Sequence, residues 1–180
     1  MSLARVVMAG SLAVALAGCE RLTGGQDREP RLVVAWTGSD TGAVATRVVA
    51  EWCDSLRALE IRGVRGDSGV ALVVYPRGAI QADSYPIRLP DRADSTRPSA
   101  AVGARWFAET SLKGFQGERG AVVLTEAGGR VTGRLHARMR SVTDRAHLEM
   151  EGTFDAVPVR PATSGCVARP RGQGPDSGVN

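Results

Sequence analysis

Aromatic, lysine, histidine and cysteine residues are all scarce in this 180-residue chain, and the shortages of aromatics and cysteine each remove a class of function. Aromatics make up 4% of the residues, and the formal charge of +4 is spread without a basic stripe. The clustered rings and cationic face that bind nucleic acid are therefore missing. Lys113 is the one lysine among 23 basic residues, which, with the richness in Ala, Gly and Val, reads as GC-rich codon usage. His136 and His147 are the two histidines available as bases or metal ligands. The three cysteines include no Cys-x-x-Cys pair, so no redox dithiol motif is present. No apolar run reaches the roughly 20 residues of a membrane-spanning helix.

The apolar run nearest the N-terminus has a basic residue, Arg5, then uncharged residues up to Leu16-Ala17-Gly18-Cys19. A basic end, a short apolar segment and small residues at a cut site are the features of a secretory signal. Ending in Leu-Ala-Gly-Cys, the segment closely resembles the signal of bacterial lipoproteins; the alternative is a buried helix with a chance cysteine. The resemblance implies cleavage before Cys19, acylation (palmitate among the chains) of its thiol and new amine, and an anchor of three acyl chains. Two or more chains hold a protein stably at a membrane. Glu20 stands where family members kept at the inner membrane often carry Asp. The implied location is the cell envelope, at the outer membrane, facing the periplasm or the cell surface.

Cleavage of residues 1–18 from 180 would leave 162, with 22 basic and 19 acidic side chains. That length suits one domain. Residues 19–30 read as a lipidated cysteine and flexible tether, 31–160 as the domain, and the Pro- and Gly-rich 161–180 as a disordered tail. With Cys19 given to lipid, Cys53 and Cys166 remain in a compartment that permits disulfides. Their pairing would close a long loop and stabilise by ~2–5 kcal/mol; two unpaired buried thiols are the alternative.

Strand signals fill the body. Leu32 to Trp36 is a short β-rich run before a turn. Residues 43–59 fit a helix by the spacing of Val44, Val48, Trp52, Leu56 and Leu59, and a strand by alternation, and we favour the strand. Leu59 to Val64 and Val70 to Tyr75 flank a turn at Gly66-Asp67-Ser68-Gly69 as a hairpin. Residues 76–98 read as loop around a short strand at Tyr85 to Leu89, and Ala100 to Thr110 as a strand leading to a Gly-rich turn from Gly114 to Gly120. Gly120 to Glu126 reads as a strand turned by Ala127-Gly128-Gly129.

Alternation is longest at the end of the domain. Val131, Gly133, Leu135, Ala137 and Met139 form one face of a strand; Leu148, Met150, Gly152, Phe154 and Ala156 form one face of the next. With Met139 opposite Leu148, Arg138 faces Glu149, His136 faces Glu151 and Thr132 faces Asp155, a charge-complementary register. The expected fold is all-β, an antiparallel sandwich or small barrel of about seven to nine strands with disordered termini. Trp52-Cys53, Gly66 to Gly69 and Gly152-Thr153-Phe154-Asp155 also give the body a loose similarity to small all-β bacterial lipoproteins, which implies no activity.

Three motifs invite chemistry. Gly66-Asp67-Ser68-Gly69 resembles the nucleophile segment of trypsin-like serine proteases, but both histidines follow Ser68, and a hairpin turn explains it. Asp40-Thr41-Gly42-Ala43 resembles the aspartic-protease loop, with Asp67 as a conceivable partner. Thr37-Gly38-Ser39, however, separates it from its strand. His136, His147, Glu149 and Glu151 are zinc-ligand types, yet a surface salt-bridge ladder accounts for them. The reading is thus an envelope lipoprotein with a non-enzymatic binding or structural role, with no catalytic or metal residues, no cofactor and no nucleic acid. Its partners are the membrane, through the anchor, and an envelope protein or a small molecule. The alternatives are a calycin-like carrier enclosing an apolar ligand among Trp36, Trp52, Trp106 and Phe107, and an aspartic- or serine-type hydrolase using Asp40 or Ser68.

Overall fold

Alternating apolar and polar residues form nine strands in the computed structural model, which describes residues 29–93, 96–108 and 110–162. Expectations for the signal, for Cys19 and for the tail from residue 163 on, Cys166 included, lie outside these residues, while Pro161, expected in the disordered tail, is strand. The strands are β1 (Arg31–Gly38), β2 (Gly42–Cys53), β3 (Ala58–Arg65), β4 (Ser68–Tyr75), β5 (Ser84–Pro86), β6 (Ser99–Ala108), β7 (Ser111–Glu126), β8 (Arg130–Ser141) and β9 (His147–Pro161).

Eight of them close an antiparallel up-and-down barrel, in the order β1-β2-β3-β4-β6-β7-β8-β9, with β9 returning to β1. Closure leaves no unpaired edge along the barrel wall. The fold is therefore the barrel and not the sandwich. The ninth strand, β5, fills a gap where β6 and β7 diverge: it pairs with β7 at Ser84–Pro86, and Ile87 bridges to Ala100. Ile87 N donates to Gly120 O at 2.9 Å and Arg88 N to Ala100 O at 2.8 Å.

Inward side chains pack the interior. Leu32, Leu59, Ile61, Leu72, Val74 and Met139 are fully buried. At the end of the barrel bearing the β1–β2 turn, here the top, Trp36 stacks on Trp106 at 4.4 Å and Trp106 on Phe115 at 4.9 Å. At the bottom, Tyr85 and Ile87 join the same core from the long 76–98 connection.

The ambiguous 43–53 segment is strand, with Val44, Thr46, Val48 and Ala50 inward. The register of β8 with β9 is the expected one, Met139 opposite Leu148, Arg138 opposite Glu149 and His136 opposite Glu151. Four details differ. The turn at 66–69 is shorter, since β4 begins at Ser68. The 76–98 strand is Ser84–Pro86 followed by the Ile87 bridge, not a strand to Leu89. Gly114 to Gly120 is not a turn but the middle of β7, where the pairing with β8 shifts between Gly117 and Arg119. In β9, Ala156 has a φ of 47° and the pairing shifts, so Val157 takes the buried position given to Ala156.

Candidate functional site

Asp40 follows β1 at the top of the barrel, where its carboxylate is already engaged. Oδ1 accepts from Thr41 N at 2.7 Å and Oδ2 from Trp106 Nε1 at 2.8 Å. Asp67 is exposed in the β3–β4 turn. Among the described residues no hydrogen bond joins it to Asp40, so the proton-sharing pair of an aspartic protease is not assembled. Ser68 opens β4, three strands from β8, and the ion-pair partners of His136 and His147 are Glu151 and Glu118. The structure thus does not bring Ser68 to a histidine.

Among the described residues no three His, Cys, Asp or Glu side chains group as a metal site. His136 Nε2 lies 4.0 Å from Glu151 and His147 Nε2 4.0 Å from Glu118. Arg138 faces Glu149 in register, yet its Nε lies 3.9 Å from Glu118 on the other neighbouring strand. Glu118 was invisible as a partner because it sits in the stretch whose glycines mimic a turn. These pairs are solvent-exposed and contribute little to stability.

Three of the four aromatics considered as cavity lining are in or against the core. Trp36 and Trp106 are 8% and 6% exposed and stacked, Trp52 packs partly buried against the core, and Phe107 projects outward. Trp52 Nε1 donates to Asp54 Oδ1 at 2.7 Å. Cys53, 7% exposed, ends β2 with its Sγ 3.4 Å from Ser55 Oγ.

Concavities lie beside Trp52 and Ile80 and beside Val33 and His136, and two further ones border the barrel's mouth and its outer wall. A mouth cleft of about 340 Å³ is bordered by Ser39, Asp40, Ser111, Lys113 and Asp144. Asp144 is held below the ordinary carboxylate range, first by the Ala146 backbone N–H, then by the Ser141 hydroxyl and the charge of Lys113. The second is an open groove of about 390 Å³ on the outer wall of β3, β4, β6 and β7. It was not legible in the sequence, where Gly69, Gly103 and Gly114 read as turn or strand filler. Against models of protein families, curated proteins and solved structures, the chain finds no match.

Proposed function

We propose that this protein is a cell-envelope lipoprotein, anchored through acylated Cys19 at the outer membrane, whose barrel binds a partner from its outer surface without enzymatic chemistry. The observation that carries this reading is the packing of the interior. The Trp36–Trp106–Phe115 stack and the aliphatic layers beneath it occupy the space where a calycin-like carrier would hold its ligand. The residues suited to hydrolysis are dispersed or engaged in structural hydrogen bonds. The outer wall is left as the binding surface.

The chain geometry supports the anchor's placement. Pro30 O accepts from Val48 N at 3.2 Å, so the chain enters β1 beside β2, at the end away from the β1–β2 turn. The same end supports a Cys53–Cys166 disulfide. The end of β9 pairs in parallel with β2 at Ala50–Val159, Glu51–Arg160 and Trp52–Pro161, and Ala162 N donates to Trp52 O at 2.9 Å. Cys166 follows four residues later, and four residues reach roughly 13 Å when extended, ample to return to Cys53.

Metabolic labelling with a palmitate analogue and fractionation of the envelope test the anchor. Label is expected in the outer-membrane fraction for the native chain and in none for Cys19→Ser. Label persisting in Cys19→Ser, or a soluble unlabelled native protein, would overturn the anchored reading.

A further inference from the structure

The outer wall is not uniformly polar. Of the large apolar side chains that are exposed among the described residues, Val64 and Val142 line one groove, Phe107 and Leu112 form a cross-strand pair just beyond its Arg105–Gly114 row, and Val33 and Val49 lie elsewhere. Contiguous exposed apolar surface marks interaction sites. Cross-strand register shows how the groove is made. One row across the wall reads Val64, Gly69, Arg105, Gly114, and the next reads Arg62, Ala71, Gly103, Gln116. Val64 and Val142 form the walls, leaning over Gly69 and Gly114. Phe107 and Leu112, paired across strands, stand at the upper end.

Gly103 lies at the floor with no structural need for glycine. A Cβ there would meet nothing within 4 Å, and its φ is not in the left-handed region. Glycine inside a strand weakens it and often marks where a ligand approaches closely. Charge supplies the other half of the chemistry. Arg105 borders the groove and has no acidic partner among the described residues, whereas Arg62 is already paired with Glu51 at 2.8 Å and Glu60 at 3.3 Å. Arg140, on the next strand, sets its guanidinium 2.9 Å from the Gln116 amide, whose oxygen accepts from it once the amide is turned.

We propose that this groove binds a single-chain anionic amphiphile, the acyl chain lying over Gly69, Ala71 and Gly103 and the anionic head at Arg105. The proposal deepens the binding reading above and rests on it. Its volume falls within the roughly 300–1,000 Å³ of ligand sites. An acyl chain fits better than a peptide, because each floor strand is hydrogen-bonded on both sides. A peptide backbone would find no partners there, and an acyl chain needs none. The guanidinium of Arg105 is suited to a carboxylate, which it can hold through two parallel hydrogen bonds.

Calorimetric titration of the full chain carrying Cys19→Ser with sodium dodecanoate, below its micelle concentration, tests the site. One saturable site is expected. Gly103→Leu should weaken it about tenfold or more without lowering the melting temperature, since the new side chain enters open space. Arg105→Gln should weaken dodecanoate and leave neutral dodecyl maltoside unaffected. Absence of saturable binding, or native-like binding by Gly103→Leu, would overturn the proposal. So would selective binding of an extended Asp/Leu peptide in place of dodecanoate. Failure here with Cys19 still acylated in cells removes the amphiphile site and leaves the anchored lipoprotein; absence of acylation removes the anchor and leaves the groove.

Discussion

Asp40 shows how a residue that looks catalytic can be structural. Its Oδ2 satisfies the indole N–H of a tryptophan that is 6% exposed. Removing the carboxylate leaves that donor buried and unpaired, which costs about 1–3 kcal/mol. Asp40→Ala should therefore lower the unfolding free energy by about that amount in a denaturant titration, and Asp40→Asn, which keeps an acceptor, by less. Tyr85 offers a pH-dependent counterpart at the bottom of the barrel. Burial pushes its phenol above the usual 10.0, and Asp83 adds to the rise against an opposing backbone contact at Gln81. A raised folded value means that its contribution is full below pH 10.0 and lost as the pH climbs through the folded value. The denaturation midpoint should fall over that range more steeply for the native chain than for Tyr85→Phe. Neither role was legible in the sequence, where Asp40 stood out for its neighbours and Tyr85 for nothing. Asp40's role depends on a partner 66 residues away, and Tyr85's on its burial in the barrel core.

Among the strands, glycine means opposite things at neighbouring places. Gly133 lies under Phe154: a Cβ would fall 2.6 Å from the ring Cζ and 2.5 Å from Val123 O. Gly133→Val should destabilise by about 1–3 kcal/mol through overpacking. Gly103→Val, entering open space on the outer wall, should be neutral or stabilising by up to ~1 kcal/mol. Paired thermal melts of the two variants would check the contrast. The same ambiguity explains what was and was not readable. β8 and β9 announced themselves because their inward positions alternate with charge for nine residues or more, and even their register followed. The 114–120 segment did not, because its glycines serve close packing within a strand. A Cβ at Gly117 would lie 2.7 Å from Ile87, and Gly120, at φ 122°, sits against His136 and Ala137 of β8.

On the scale of the whole molecule, closure was the hidden property. Alternation gives strands and their faces, but sandwich and barrel differ only in whether β9 returns to β1, a contact between the two ends of the domain. Tight turns carried the hairpins; no local signal carried that pairing. The same joining of ends brings the residues before Cys166 beside Cys53. If the two cysteines are bonded, reduction should lower stability by ~2–5 kcal/mol, and Cys166→Ser should show the same loss without reductant. Inward side chains fill the closed barrel, so the proposed binding falls to its outside wall. Methyl-resolved NMR during a dodecanoate titration tests that consequence most directly. Shifts confined to Val64, Ala71, Leu112 and Val142 are the expected result. Shifts at Leu32, Leu72, Met139 and Met150 would place the ligand inside the barrel and contradict binding at its surface.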